Sequence, residues 1–276
     1  MGAVRADVSW NYRCHGKEHT RSRLCFRLIR TTTMTVRRFY APPDQFSSET
    51  VTLDDDETRH LRDVLRLKVG DTAHVFDGEG KEFECTIETI EKRRSVLKVN
   101  AEVTPSSPES PLDLTIASVL LKGDKLDLVV QKAVELGVNR FIPMTSARCD
   151  VKVGDAAKRA DRWRRIAMEA TKQCGRAKLM HVADVTEYSN LLDETADAGL
   201  TRIHFSERDG ESFDAVAGST RILAFIGPEG GWDDAELEKA AAAGIRSITF
   251  GGRIMKADTA AIAIAAILQH RFGDVN

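Results

Sequence analysis

The stretch FIGPEGGW, residues 225–232, decides how the second half of this chain is interpreted. Three glycines and a proline surround a single acid, directly after the apolar residues ILA at 222–224. A buried strand that ends in so much backbone freedom is typical of a tight turn. It is equally typical of a loop whose backbone approaches a ligand. From this stretch alone, both interpretations stay open.

The residues that follow favour a strand, a glycine loop and then a helix. Asp233 is a candidate N-cap, and Glu236 three residues later completes the sequence pattern of a capping box. The backbone N–H groups at such a helix start can face a ligand.

A second glycine loop follows the same plan. The strand SITF, residues 247–250, ends at Gly251-Gly252, and RIMKAD, residues 253–258, leads into an alanine-rich helix. Parallel strands place the loops at their carboxyl ends along one edge of the sheet, which is where ligands bind in open α/β sheets. We therefore predict that the two loops lie together.

Strand and helix patterns alternate from residue 112 onward. This alternation predicts a mostly parallel sheet covered on both faces. Residues 34–104 differ, because they are rich in strand patterns and contain DGEG, residues 77–80, between two β-rich runs. They predict a small β-barrel with one helix whose apolar stripe would contain Leu61, Val64, Leu65 and Leu67. The Pro- and Ser-rich residues 105–111 predict a linker.

Composition limits the class of protein. Hydrophobic residues make up 42% and charged residues 30% of the chain, as in ordinary globular proteins. No apolar run approaches the about 18 residues that cross a bilayer. Five scattered cysteines without a C-x-x-C pair fit reduced thiols, a cytoplasmic location and no metal site. Residues 1–33 are Arg-rich and poor in acids, which predicts a disordered extension or, alternatively, a transit peptide.

Local charge permits nucleic-acid binding. The net charge is −2, yet residues 158–178 contain eight Lys or Arg against two acids. The common nucleotide and hydrolase motifs are absent: the sequence has no G-x-x-x-x-G-K-[ST], no G-x-G-x-x-G after the first strand and no G-x-S-x-G. Chemistry alone therefore indicates a ligand-binding α/β domain with a basic helix.

The two glycine loops, together with several other motifs, resemble the ribosomal RNA small subunit methyltransferase E family of the SPOUT superfamily. The other motifs include HLRDVLRLKVGD at 60–71, KGDKLDLVVQKAVELGV at 122–138 and RWRRIAMEATKQCGR at 162–176. They occur in the family's order over most of the chain after residue 33.

The resemblance implies an α/β fold in which a small PUA-like β-barrel, residues 34–104, precedes a trefoil-knotted SPOUT methyltransferase domain, residues 112–276. Knots are nearly absent from proteins, so periodicity could not have predicted this one. The implied reaction transfers a methyl group from S-adenosylmethionine to N3 of one uridine in small-subunit (16S) ribosomal RNA, free or in the 30S particle. A homodimer without a metal is also implied.

Position in the family's motifs implies two groups of cofactor-binding residues. The first group is Gly227, Glu229, Gly230 and Gly231. The second group is Phe250, Gly251, Arg253, Ile254 and Met255. The second loop departs from the family's usual R-[IV]-L-R-x-E-T, because Lys256 and Asp258 replace an arginine and a glutamate. Lys does not reproduce the bidentate geometry of Arg, so the roles of these two positions stay open.

Uridine N3 must lose its proton before it can attack a methyl group. We hypothesise that Arg253 stabilises the resulting anion, and that Glu229 either acts as the base or anchors its own loop. The RNA-binding candidates are Arg37, Arg38, Arg62, Arg66, Arg162, Arg164, Arg165, Lys172 and Arg176. Each of these could instead be a solvated surface charge.

Two rival functions remain at this stage. One is a SPOUT ribose 2′-O-methyltransferase, which the segment ADTAAIAIA at 257–265 disfavours because it lacks an Asn. The other is a non-catalytic RNA-binding assembly factor, in which the glycine loops would have no ligand.

Overall fold

The computed structural model describes residues 36–151, 154, 156–196, 199–206, 210–249 and 252–275. The predicted extension at 1–33 lies outside these residues, as do the candidate site residues Phe250 and Gly251. Within the described part the chain forms a five-stranded sheet followed by a seven-stranded sheet.

The first sheet has the strand order β1-β3-β4-β5-β2. Its strands are β1 Arg38–Tyr40, β2 Thr50–Leu53, β3 Thr72–Phe76, β4 Glu82–Ile90 and β5 Ser95–Val103. β1 pairs with β3 in parallel, and the other pairs are antiparallel. The predicted DGEG hairpin is confirmed as the connection between β3 and β4. The sheet curls around its own apolar core, and no pairing among the described strands closes β1 onto β2.

The helix of the first sheet is shorter and less regular than predicted. Helix α1, Asp55–Arg59, passes into a single π-helical turn over His60–Val64. Leu61 and Leu67 are buried as predicted, but Val64 is 67% exposed. The prediction for Val64 is wrong because the wider π turn shifts the helical period that placed this residue inward.

The second sheet is parallel in every described pair, and its strand order is β12-β10-β11-β6-β7-β8, with β9 also beside β7. Its strands are β6 Asp113–Val119, β7 Arg140–Thr145, β8 His181–Val182, β9 Thr186–Glu187, β10 Thr201–Phe205, β11 Arg221–Ile226 and β12 Arg246–Ile248. The predicted parallel α/β sheet is thus confirmed.

Helices cover both faces of this sheet. They are α2 Lys125–Glu135, α3 Ala156–Cys174, α4 Tyr188–Glu194, α5 Asp234–Ala242 and α6 Ala257–Phe272. Alternate residues of β11 point to opposite faces: Ile222 and Ala224 join the core beneath α2, α3 and α6, while Leu223 and Phe225 join the core beneath α4 and α5. Both faces are apolar, which explains why the strand reads as a continuous hydrophobic run.

Helix α6 returns from the edge strand β12 to the middle of the sheet, where it contacts α2, β6 and β11. Its small residues Ala261 and Ala265 are buried in the protein's own core, together with Ile264 and Leu268. This face of the alanine-rich helix therefore fills the domain's own interior.

Buried cations join the two sheets. Arg38 pairs with Glu82 at 2.7 Å and donates hydrogen bonds to the carbonyls of Thr171, Lys172 and Arg176 at 2.9–3.2 Å. Lys172 lies near the end of α3, and its ammonium donates to the carboxylate of Glu57 in α1.

Arg176 is also used internally: it is 3% exposed, pairs with Glu109 at 2.6 Å and donates to the carbonyls of Val134 and Val138. We therefore correct the sequence interpretation of Arg38, Lys172 and Arg176. All three lie inside the protein with their charged ends bound, so they cannot reach phosphate without breaking these internal contacts.

Three further observations concern the cysteines, the metal-ligating types of side chain and the helices of the described part. The described cysteines Cys85, Cys149 and Cys174 are free thiols. Among the described residues, no three or more His, Cys, Asp or Glu side chains come together as a metal site would require. In the same part of the chain, no helix has both the length and the apolar character needed to cross a membrane.

A histidine lies in the apolar core beneath α4 and α5. His204 of β10 is fully buried, and its ring lies 4.0 Å from the Trp232 ring, centroid to centroid. Neither ring nitrogen has a partner among the described residues. Burial lowers the pKa of His204 from 6.5 to about 3, because an imidazolium would lose its hydration here.

This histidine predicts a specific acid sensitivity. Between pH 6.5 and about 3 the unfolded chain binds a proton at His204 that the folded protein does not, so the free energy of unfolding falls as the pH falls. The loss from this group is about 1.4 kcal/mol per pH unit, or about 2 kcal/mol at pH 5. Urea unfolding at pH 7 and pH 5 should show a smaller loss for His204→Phe than for the unaltered protein. Equal losses would contradict the assignment.

Candidate functional site

The two glycine loops meet at one edge of the parallel sheet. β11 and β12 lie on either side of β10 and run parallel to it, so the loops that follow them leave from the same edge. Residues from both loops line a cavity of about 480 Å³. The predicted juxtaposition of the loops is therefore present in the structure.

The first loop makes a tight turn at the cavity wall. The Gly231 N–H donates to the Pro228 carbonyl at 3.0 Å, and Gly231 has φ +70°, a conformation that favours glycine. Gly227 is required for another reason, because a Cβ at this position would lie 2.8 Å from the Trp232 ring. The predicted capping box on Asp233 and Glu236 is confirmed, and it fixes the start of α5.

Trp232 supports this loop from below, a role that the sequence analysis missed. It is 3% exposed, lines the cavity and donates its indole N–H to the Phe205 carbonyl at 2.9 Å. Its ring also lies 4.8 Å from the Tyr188 ring. The sequence did contain a signal for this role, because a tryptophan directly after a glycine-rich turn can pack on a glycine of that turn.

Glu229 lies at the rim of the cavity. Its carboxylate is ion-paired with Lys125, the first residue of α2, and both side chains are partly exposed. On the other side of the loop, Arg148 lies 3.3 Å from the Asp233 carboxylate and 3.4 Å from the Gly230 carbonyl. The loop is thus held by one cation on each side.

The second loop presents exposed side chains to the same cavity. Arg253 is exposed and has no partner among the described residues, and Ile254 is 89% exposed. Ala257, Ala260 and Ile264 of α6 form the apolar wall behind them. Lys256 precedes α6 without a side-chain cap.

The predicted cofactor-binding residues within the described part all line this cavity: Gly227, Glu229, Gly230, Gly231, Arg253, Ile254 and Met255. Lining the cavity brings them together, and their contact with a cofactor stays a prediction.

The RNA-binding candidates that remain fall into two groups. Exposed residues without a partner among the described residues are Arg37, Arg66 and Arg165. Exposed residues already paired with acids are Arg62, Arg162 and Arg164. Arg66 also has φ +54°, so its backbone adopts a conformation uncommon for a non-glycine residue. Trp163 of the basic helix α3 is buried and donates its indole N–H to the Asp127 carboxylate at 3.0 Å.

Two protein-family models match the chain. One, described as an RNA methyltransferase domain, covers residues 108–269, and the other, an RNA methyltransferase PUA domain, covers residues 53–100. These spans coincide with the parallel sheet and with most of the curled sheet.

Individual relatives agree with the family models. Ribosomal RNA small subunit methyltransferase E from Bacillus subtilis is 34% identical over 229 residues, which are 79% of this chain and 89% of the relative. The crystal structure of a ribosomal RNA small subunit methyltransferase E from Neisseria gonorrhoeae bound to S-adenosylmethionine is 34% identical, with a TM-score of 0.80 over 87% of this chain and all of that one. A Legionella pneumophila methyltransferase in complex with the same cofactor has 27% identity and a TM-score of 0.79, over 87% of this chain and 99% of that one.

Proposed function

The chain belongs to the ribosomal RNA small subunit methyltransferase E family, and we propose that it methylates N3 of one uridine in small-subunit (16S) ribosomal RNA with S-adenosylmethionine as the methyl donor. The cavity formed jointly by the two glycine loops is the observation that carries this proposal. A non-catalytic assembly factor would have no use for such a cavity.

The cavity fits the cofactor in size and chemistry. Its volume of about 480 Å³ lies in the range of small-molecule sites. Apolar residues including Trp232, Ile254 and Ile264 suit the adenosyl group, and the glycine loop exposes backbone polar groups to the methionine part. When bound, the cofactor supplies an electrophilic methyl group on a positively charged sulfonium. Transfer of the methyl group releases a neutral thioether, which is a good leaving group without a metal.

The chain's own residues have to prepare the uridine. Loss of the N3 proton spreads negative charge onto O2 and O4. The guanidinium of Arg253, which has no partner among the described residues, supplies the cation that stabilises this charge at the cavity. Glu229 carries the carboxylate of the first loop and is the candidate base for the N3 proton. Its ion pair with Lys125 supports the loop-anchor alternative, at least while the protein is free of RNA.

RNA phosphates are proposed to contact Arg37, Arg66 and Arg165, which are exposed and have no partner in the part of the chain that the structure describes. Arg62, Arg162 and Arg164 would first have to leave their acidic partners, so they are weaker candidates. The proposal also includes a homodimer, and free small-subunit ribosomal RNA or the 30S particle as substrate, both of which follow from the family resemblance. A cytoplasmic location is proposed from the scattered cysteines.

One experiment tests the reaction directly. The protein is incubated with small-subunit particles that lack the modification and with isotopically labelled S-adenosylmethionine, and the modified base is mapped by mass spectrometry. Label at uridine N3 is expected. Label on a ribose 2′-oxygen would support the rival methyltransferase, and absence of both label and calorimetric binding of the cofactor would support the assembly factor.

A further inference from the structure

The ion pair between Lys125 and Glu229 joins the proposed cofactor loop to a different part of the sheet edge. Glu229 lines the cavity, whereas Lys125 lies outside it at the first position of α2. The side chains are 37% and 42% exposed, so solvent and solutes reach both partners. Exposed pairs of this kind contribute only about 0.2–1 kcal/mol, and another anion can replace the carboxylate.

The surroundings of Lys125 leave it available to an anion. Its acidic neighbours Asp124 and Asp127 both face Arg162, and Asp127 also accepts the indole N–H of Trp163. Both carboxylates are thus engaged by Arg162, and neither forms an ion pair with Lys125 in the structure. In addition, the N-cap residue Asp124 makes no side-chain bond to the helix N–H groups, so the start of α2 keeps its partial positive charge.

We propose that Lys125 at the start of α2 binds a phosphate of the RNA substrate, and that Glu229 occupies this position in the free protein. Binding of RNA then displaces the carboxylate toward the cavity, where the uridine proton must be removed. Glu229 therefore anchors its loop in the free protein and becomes available as the base when RNA is bound. This inference rests on the proposed function, because it takes ribosomal RNA as the ligand.

Competition between Glu229 and an RNA phosphate for Lys125 predicts that loss of the carboxylate raises RNA affinity. A role of the ion pair in supporting the loop alone does not predict this gain. Filter binding of unmodified small-subunit particles is measured for the unaltered protein, Glu229→Gln, Lys125→Met and the double variant, without cofactor. Glu229→Gln is expected to bind about two- to five-fold tighter, because it removes the competing carboxylate. Lys125→Met is expected to bind several-fold more weakly and to lower the salt dependence by about one phosphate contact.

The double variant decides between competition and general electrostatics. If Glu229 competes for Lys125, the gain from Glu229→Gln disappears in the Lys125→Met background. An equal gain in both backgrounds would overturn the proposal, as would weaker RNA binding by Glu229→Gln alone. Glu238→Gln, an exposed acid on α5, is the matched control for loss of one negative charge and should change the affinity little.

The same measurements separate this inference from the function on which it rests. If the unaltered protein methylates the particles but the effects of Glu229→Gln and Lys125→Met on RNA affinity simply add in the double variant, only the competition is wrong. If the unaltered protein neither binds nor methylates them, both proposals are overturned. Thermal unfolding of each variant confirms that the differences are measured on folded protein.

Discussion

Replacing Arg253 with alanine is expected to lower the rate of methyl transfer about 100- to 1,000-fold, the usual effect of removing one group that stabilises an anion in a transition state. Arg253 is suited to this role because it lines the cavity, is exposed and has no partner among the described residues. No internal salt bridge among those residues has to break before it can face the substrate. The measurement is single-turnover transfer to unmodified small-subunit particles.

Two further readouts distinguish stabilisation of the anion from binding of the cofactor. Calorimetric titration with S-adenosylmethionine measures the predicted contact of Arg253 with the cofactor, and transfer assayed at saturating cofactor keeps any loss of that affinity out of the rate deficit. The deficit of Arg253→Ala should narrow as the pH rises, because higher pH forms the uridine anion without help from the cation. A native rate in the alanine variant with unchanged cofactor affinity would contradict the assignment.

Arg253→Lys is the matched control. It keeps the positive charge but loses the planar, two-pronged donor geometry. A rate between those of the alanine variant and the unaltered protein is expected if geometry as well as charge matters.

The sequence was sufficient for features set by local pattern. β11 and the start of α5 were predictable because the strand is apolar on both faces and because Asp233 and Glu236 have capping-box spacing. The meeting of the two loops was predictable as well, since parallel strands end at one edge of a sheet.

Contacts between distant parts of the chain were not predictable in this way. Arg38, Lys172 and Arg176 look like surface cations in sequence. The packing of the curled sheet against the end of α3 buries Arg38 and Lys172, and Glu109 and the end of α2 enclose Arg176. The pairing of Glu229 with Lys125 spans 104 positions, so spacing gave no signal for it. Val64 was misplaced because a π turn has no clear sequence signature.

The cavity requires an aromatic floor as well as glycines, and this requirement leads to the second large effect. Trp232→Ala is expected to lower the free energy of unfolding by about 3–5 kcal/mol and to weaken cofactor binding about 10- to 100-fold. The indole packs on Gly227, donates to Phe205 and stacks on the buried ring of His204. Its loss leaves the glycine loop without the surface that sets its position.

Trp163→Ala is a control of matched size. Trp163 is equally buried at 3% exposure and also donates one indole hydrogen bond, to Asp127, but it does not line the cavity. A comparable loss of stability is therefore expected, with the cofactor affinity of the folded protein unchanged. Calorimetry at low temperature, with the folded fraction of each variant taken from urea unfolding, makes the comparison.

The pair of tryptophans separates the stability of the fold from the shape of the site. If both variants lost affinity equally, the loss would follow global stability and Trp232 would have no particular role at the cavity. Trp232→Phe refines the comparison, because it keeps most of the apolar body and removes the bond to Phe205. Since this bond fixes the indole against the end of β10, the phenylalanine variant should retain most of the stability yet bind the cofactor more weakly than the unaltered protein.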